Sequence, residues 1–264
     1  DKVEAVKWYR KAADQGVANA QFWLGVYYAD GNGVAKDQVQ AVSWYRKAAE
    51  QGHAKAQSYL GICYQFGLGV AKDETKAADW AKRAADKGQP MGYRVLGDLA
   101  KAKADAIKPD KKSPDFKAQL VIRDKHLEEA FKQYRRGADA GDRHSLRELA
   151  KAFEAGQPGM PQNYRLALEY YTRAAMRRDV KAIRVLAERY VSGEKTPKDS
   201  KQAYAWRLIL IELEEDPDDI AKLGLLEKEM SLADVQAGQE AGAKILAELP
   251  TESADALARL NPGR

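Results

Sequence analysis

Apolar and small residues recur along the chain at the spacing of one helix face, and the whole pattern then repeats. Positions i, i+4, i+7 and i+8 of the first predicted helix are Ala5, Tyr9, Ala12 and Ala13. Gly16 follows this stripe, and glycine ends helices readily because it adopts the left-handed conformation without a side-chain clash. A second stripe begins at Ala20. The pattern predicts pairs of short helices, and no stretch indicates a strand.

The helix pairs recur about every 36 residues. The phrase WYRKAADQG at 8–16 returns as WYRKAAEQG at 44–52 with one conservative change. The fourth repeat starts 53 residues after the third instead of 36, which places an insertion at 103–124. The predicted repeats are repeat 1 at 1–36, repeat 2 at 37–72, repeat 3 at 73–102, repeat 4 at 125–162, repeat 5 at 163–198 and a partial repeat 6 at 199–215.

A helical hairpin of this size cannot bury its apolar stripe alone, so copies must stack on one another. The predicted fold class is therefore all-α, an α/α solenoid over 1–215 followed by C-terminal capping helices over 216–264. Asp37 and Asp73 follow the glycine turns GNGV and GLGV and are placed to cap the next helix. Because the chain begins at a repeat boundary without a polar cap, we expect earlier repeats or a signal peptide before residue 1.

The repeated positions resemble the Sel1-like repeat, a relative of the tetratricopeptide repeat. The matching positions of repeat 1 are Ala5, Tyr9, Ala12, Ala13, Gly16, Ala20, Leu24, Gly25, Tyr28, the GNGV turn and Asp37. Repeat 2 matches equally closely, whereas Ala150 and Ala187 replace the glycine after leucine in repeats 4 and 5. The resemblance implies an α-solenoid of bacterial origin that binds other proteins, since family members are adaptors, often in envelope, virulence or assembly systems.

Composition and charge exclude few classes of function. The 264 residues are 45% hydrophobic and 31% charged, an ordinary globular balance. No apolar run approaches the roughly 20 residues that cross a bilayer. Residues 1–199 hold 37 basic and 26 acidic side chains, whereas 200–264 hold 7 and 13. Binding of nucleic acid by the basic repeats therefore stays open as an alternative of a different class.

Signals of enzymes and metal sites are missing. The chain has no G-x-S-x-G, H-E-x-x-H or C-x-x-C motif and no phosphate-binding Gly-Lys-Ser/Thr loop. Cys63 is expected in the core, and the acidic run at 214–219 indicates a helix start at Asp216 and Pro217 instead of a cation loop. Three histidines lie in different repeats without ligand spacing: His53, His126 and His144. We predict no catalytic residue, cofactor, metal site or small-molecule substrate.

Aromatic side chains offer one candidate contact surface. One repeat position is held by Trp8, Trp44, Trp80, Tyr170 and Trp206. We favour packing between the first helices of consecutive repeats for this ladder over contact with a partner. Trp23 and Tyr59 share a second position, next to Phe22, and we predict these three as partner-binding residues because aromatic side chains are enriched at interface hot spots.

Basic side chains offer two more candidate surfaces. Arg94, Arg147 and Arg184 share one position in repeats 3 to 5, where a row of guanidinium groups would suit a carboxylate-rich partner; solvated surface arginine is the ordinary alternative. Lys111 and Lys112 lie in the insertion, whose prolines predict a loop that leaves the solenoid and contacts a partner. The apolar stretch FKAQLVI within it is expected to dock on the repeats or on that partner.

These observations predict a non-enzymatic module that binds a partner protein. Through the family resemblance we prefer a bacterial immunity protein that neutralises a secreted antibacterial effector, such as a phospholipase of a type VI secretion system. The reason is that repeats 4 and 5 and the insertion give unrepeated features suited to a single partner. The alternative is a periplasmic scaffold for envelope or exopolysaccharide assembly. We expect a periplasmic or envelope location.

Overall fold

The computed structural model describes residues 1–250, which contain thirteen helices and no β-strand. The first seven are α1 Lys2–Asp14, α2 Ala18–Asp30, α3 Gln38–Glu50, α4 Ala54–Phe66, α5 Glu74–Asp86, α6 Pro90–Ala106 and α7 Phe116–Asp139. The other six are α8 Arg143–Ala155, α9 Tyr164–Ala175, α10 Val180–Ser192, α11 Ser200–Glu214, α12 Pro217–Glu229 and α13 Leu232–Glu248. The predicted all-α class is confirmed.

The helices form stacked hairpins within two compact units. The N-terminal unit is Asp1–Gly141, and the C-terminal unit begins at Asp142. In the N-terminal unit α2 packs on α3, α4 on α5 and α6 on α7; in the C-terminal unit α8 packs on α9 and α10 on α11. The second helix of one repeat thus covers the first helix of the next, which is the α/α solenoid arrangement.

Aspartate caps set where the repeat helices start. The Asp37 carboxylate accepts from the backbone N–H groups of Val39 and Gln40, and the Asp73 carboxylate accepts from that of Lys76. Both predicted caps are confirmed. A cap of this kind stabilises a helix by about 1 kcal/mol, because it satisfies backbone donors that the first turn leaves unpaired.

Glycines in the second helices let neighbouring repeats approach closely. A Cβ atom on Gly25 would lie 2.6 Å from the Tyr45 ring, and one on Gly97 would lie 2.6 Å from the Tyr134 ring. Real Cβ atoms do not tolerate such contacts, so a side chain at either position would separate the two repeats.

The insertion lengthens two helices more than it forms a loop. Helix α6 continues to Ala106 and α7 starts at Phe116, so only 107–115 lies outside helices. The expected loop over 103–124 is wrong for most of its length. Both prolines fall within 107–115, and the following residues place Phe116 and Leu120 four apart on one helical face, which favours helix.

The end of the described chain folds back on repeat 6. Helix α12 starts at Pro217 with the Asp216 side chain as its cap, as predicted, and α13 packs on α11. Gly238 in α13 lies against the Tyr204 ring. The rest of the predicted capping segment, 251–264, lies outside the described residues. Among the helices described, none has both the length and the apolar character needed to cross a membrane.

Candidate functional site

Two of the three predicted aromatic anchors belong to the core of the N-terminal unit. Phe22 is 1% exposed and Tyr59 is 3% exposed. The Phe22 ring meets Tyr59 edge-on at 5.3 Å between centroids and stacks on His53 at 4.9 Å. Burial, together with the nearby Asp30 carboxylate, raises the pKa of Tyr59. The prediction that Phe22 and Tyr59 contact a partner is therefore wrong, because neighbouring repeats cover them.

Trp23 differs from Phe22 and Tyr59 because it is only partly buried. Its ring lies 6.4 Å from that of Tyr9 and 5.5 Å from that of Phe22. Tyr9 also contacts Tyr27 at 5.5 Å, and all three members of the Tyr9–Trp23–Tyr27 group keep some solvent exposure. A contact role for Trp23 stays a prediction.

The predicted arginine row does not form one surface. Arg147 is buried and makes an ion pair with Asp179. Arg184 pairs with three carboxylates of the acidic run, namely Asp219 at 2.7 Å, Glu214 at 3.3 Å and Asp216 at 3.5 Å. The partner-binding role predicted for Arg147 is therefore wrong, since its guanidinium group is buried and stabilises its own unit. Arg184 is partly exposed, so its contact role stays a prediction.

Arg94 and the two loop lysines are the remaining basic candidates. Arg94 is partly buried, its Nε–H lacks a hydrogen-bond partner, and its charge acts on the Tyr59 hydroxyl. Lys111 and Lys112 are exposed in the loop 107–115, where the Lys112 backbone N–H donates to the Asp110 side chain. These contact roles stay predictions.

The residues of the tryptophan ladder differ in burial. Trp44 and Trp206 are buried and Trp80 is partly buried, whereas Trp8 is 62% exposed. A cation from the next helical turn covers several of these rings: Lys11 over Trp8 at 4.6 Å, Lys47 over Trp44 at 3.9 Å, Arg83 over Trp80 at 4.6 Å and Arg173 over Tyr170 at 5.0 Å. The ladder is interrupted at repeat 4, where Gln133 takes the position.

A cleft of about 520 Å³ lies in the N-terminal unit beside this interruption. Helix α5 forms one wall, α7 the other, and Tyr93 and Leu96 of α6 contribute to the lining between them. The wall residues are Ala78, Asp79, Lys82, Ala85 and Asp86 of α5 and Glu129, Gln133 and Arg136 of α7. Apolar groups and charges of both signs therefore line one opening.

Hydrogen bonds and ring contacts fix one wall of this cleft. The Gln133 Nε2–H donates to Glu129 at 2.6 Å, and the Arg136 guanidinium lies over the Tyr93 ring at 5.6 Å. Gln133 is 8% exposed, yet its Oε1 accepts no hydrogen bond. None of these residues was among the sequence candidates. The change from tryptophan to glutamine at 133 is the signal that could have revealed them.

Cysteine and histidine side chains lie apart from one another. Cys63 is buried in the core, as predicted, and burial raises the pKa of its thiol to about 12. Burial, followed by the charge of Lys55, lowers the pKa of His53. His144 hydrogen-bonds to Arg147 at 2.9 Å. Within residues 1–250 no group of three or more histidine, cysteine or acidic side chains is arranged to hold a metal ion.

Comparison with protein families gives a match to the Sel1 repeat. The matched segments are 1–17, 18–53, 54–89, 143–179 and 180–206. Comparison with curated proteins gives no significant match.

Comparison with solved structures gives matches to bacterial proteins. A Sel1 repeat protein from Oxalobacter formigenes is 33% identical, with a TM-score of 0.65 over 81% of this chain and 80% of that one. The immunity protein Pa5087 from Pseudomonas aeruginosa is 20% identical, with a TM-score of 0.49 over 98% of this chain and 88% of that one. The protective antigen c5321 of uropathogenic Escherichia coli is 22% identical, with a TM-score of 0.48 over 100% of this chain and 60% of that one.

Proposed function

Because this chain belongs to the Sel1 repeat family, whose repeats form a protein-interaction fold and are generally non-catalytic, we propose that it is a non-enzymatic module that binds a partner protein. The observation that carries the proposal is the cleft between α5 and α7. It combines an apolar lining from Leu96 and Tyr93 with charged walls. Protein interfaces are built in this way, with a buried apolar centre inside a polar rim.

Site-specific crosslinking in the source cell tests this function. A photoreactive amino acid at Lys82 or Arg136, one on each wall of the cleft, should give a covalent adduct with one partner protein. The same group at Lys181, an exposed residue of α10, serves as the control. If neither wall position gives an adduct with a protein, the proposal fails.

We propose further that the partner is a single dedicated protein, and that the module is an immunity protein for a secreted antibacterial effector. Features that occur once in the repeat array support a single partner, since a surface that recognises many partners gains nothing from them. They include the interrupted ladder at Gln133 and the loop 107–115 with its exposed Lys111 and Lys112. Trp23 and Arg94 are further proposed contacts.

Co-expression tests the immunity role. An effector gene that neighbours this one should kill or arrest cells when expressed alone in the periplasm, and co-expression of this protein there should restore growth. Variants that lose the crosslink should also lose protection. A partner from polymer export, with no toxicity to relieve, would instead assign the alternative role of envelope or exopolysaccharide scaffold.

Nucleic-acid binding receives less support from the structure than from composition. Arg147, Arg184 and Arg189 all pair with carboxylates of the C-terminal unit, so part of the basic excess is neutralised internally. Failure to bind DNA or RNA even at low ionic strength would remove this alternative, since phosphate contacts are strongest there.

A further inference from the structure

We infer that the cleft between α5 and α7 binds an extended protein segment carrying two cationic side chains about 10 Å apart. This inference rests on the proposed function and specifies the chemistry of the partner. Three observations support it: glutamine stands at position 133 where other repeats have tryptophan, the cleft walls are charged, and Asp79 and Asp86 lie seven residues apart on one helix.

The cleft lies where the repeat pattern would place an indole ring. Gln133 in α7 corresponds to Trp44 in α3 and Trp80 in α5, and these rings pack within or against the core of the unit. Glutamine is smaller than tryptophan, so the space beside α5 and α6 is left unfilled. Filling it would add apolar burial, which stabilises the folded state.

Gln133 also carries a cost that an apolar residue would avoid. Its Oε1 is buried without a hydrogen-bond partner, and a buried acceptor that has lost its water without gaining a partner destabilises the folded state. The Gln133 Nε2 group donates to Glu129, which leaves Oε1 available to accept a hydrogen bond. A bound segment that approaches with an N–H group, after a small rotation of this amide, would remove the cost.

The wall formed by α5 favours cations. Asp79 and Asp86 both line the cleft and make no ion pair with described residues. On the opposite wall Glu129 pairs weakly with Lys132 at 3.9 Å. Of the two basic lining residues, Arg136 is already occupied by the Tyr93 ring. The other, Lys82, lies between the two aspartates in sequence. The α5 wall therefore presents an acidic, a basic and an acidic side chain in that order.

The spacing of the aspartates sets the form of the ligand. Residues seven apart in a helix are separated by about 10 Å along its axis, from a rise of 1.5 Å per residue. In a segment with the extended polyproline II conformation, which has three residues per turn and a rise of about 3.1 Å per residue, residues three apart lie on one face and span about the same distance. We therefore expect a sequence of the type Lys-x-x-Lys, with a neutral or acidic residue between the cations opposite Lys82.

A synthetic peptide tests the inference directly. The probe is a fluorescein-labelled decapeptide with one Lys-Ala-Ala-Lys element in a Gly-Ser background, and its matched control carries Glu-Ala-Ala-Glu. Fluorescence anisotropy with the full chain should show binding of the lysine peptide that weakens as salt rises. Binding of the glutamate peptide should be at least tenfold weaker. Equal binding of the two peptides would overturn the inference.

Matched variants assign the binding to the cleft. Asp79→Asn with Asp86→Asn should weaken the lysine peptide at least tenfold. The control, Asp14→Asn with Glu50→Gln, makes the same change in charge at exposed residues that hold the repeat position of Asp86 in α1 and α3. This control should bind as the wild type does. If both pairs weaken binding equally, general charge and not the cleft attracts the peptide.

Filling the cleft gives an independent test. Gln133→Trp restores the ladder residue and should abolish peptide binding while raising the thermal unfolding midpoint; unchanged binding overturns the inference. Gln133→Leu should keep the cleft open and weaken binding severalfold, which covers the case in which the tryptophan variant does not fold. If the physiological partner still crosslinks at Lys82 but the lysine peptide does not bind, the inference fails and the proposed function stands.

Discussion

Several charged residues of the C-terminal unit form ion pairs with residues about one repeat away in the sequence. Asp219 is 0% exposed and lies 2.7 Å from Arg184 and 3.6 Å from Arg207. Arg189 pairs with Glu154 across 35 positions in the same manner. A buried ion pair gains little over an apolar pair of the same shape, but removal of one partner leaves a charge without compensation.

Replacement of Arg184 by alanine tests this dependence. Arg184→Ala should lower the free energy of unfolding by about 3 kcal/mol, the lower end for a broken buried pair, because Arg184 itself is partly exposed. Denaturant unfolding gives the value. Arg165→Ala on the exposed side of α9 should change it by about 0.5 kcal/mol or less. A similar effect of both variants would show that Asp219 does not depend on Arg184.

The Cys63 thiol provides a second test at this scale. Burial raises its pKa to about 12, so the reactive thiolate is scarce at neutral pH. The native protein should react with a thiol reagent such as dithionitrobenzoate far more slowly than the unfolded protein does. Rapid and complete reaction of the native protein would contradict the core position.

The sequence predicted local residue roles better than contacts between repeats. Asp37, Asp73 and Asp216 were identified as caps because capping depends on the next three residues alone. Phe22 and Tyr59 were misplaced because a helical stripe shows one buried face, not the second face that a neighbouring repeat covers. Arg184 and Asp219 are 35 residues apart, about one repeat, so a comparison of each charged residue with those one repeat later in the sequence would have paired them.

At the scale of helices, the insertion is the main departure from the repeat. The extra residues extend α6 at its end and α7 at its start, and α6 and α7 pack on each other. Val121 and Ile122 are exposed on the added part of α7. Proline positions predicted the break correctly, but its length depended on the helical stripe that follows.

Replacement of 108–115 by a Gly-Ser linker tests the loop. The flanking helices α6 and α7 pack on each other, so far-ultraviolet circular dichroism and the unfolding midpoint should stay close to wild type. Binding of the physiological partner should weaken if Lys111 and Lys112 contact it. Lys111→Ala with Lys112→Ala separates the side chains from the backbone. Full affinity in both variants would reject the loop as a contact, and loss of helicity would make it a structural joint.

At the scale of the whole molecule, both units have apolar cores, and the C-terminal unit adds a set of ion pairs that are buried or half-buried. The N-terminal unit has an apolar core rich in aromatic rings, including Phe22, Tyr45 and Tyr59. The C-terminal unit contains buried or half-buried ion pairs, such as that of Arg189 with Glu154, which Lys195 also contacts at 2.7 Å.

Acid should therefore weaken the C-terminal unit through Glu154. Burial alone would raise the pKa of this carboxyl, but Lys195 and Arg189 hold it below the ordinary value of 4.5. A carboxyl whose pKa is lower in the folded than in the unfolded protein stabilises the fold at pH values above its unfolded-state pKa. This contribution is lost as the pH falls through the lowered, folded-state pKa. Hydrogen exchange resolved by unit should show this loss below about pH 4.5.

The variant Glu154→Gln isolates the contribution of this carboxyl. It should reduce the difference in stability of the C-terminal unit between neutral and acidic pH, whereas Glu169→Gln, at an exposed site on α9, should leave that difference unchanged. The same pH dependence in all three proteins would exclude Glu154 as its source.

The ion pairs around Arg184 and Glu154 also bear on temperature. Apolar burial weakens on cooling, because its driving force near room temperature is entropic. Hydration of charged groups becomes less favourable on heating, so the desolvation cost of an ion pair falls. The contribution of the aromatic core of the N-terminal unit should therefore fall on cooling, while the pairs of Arg184, Arg189 and Arg147 should keep their contribution as the temperature rises.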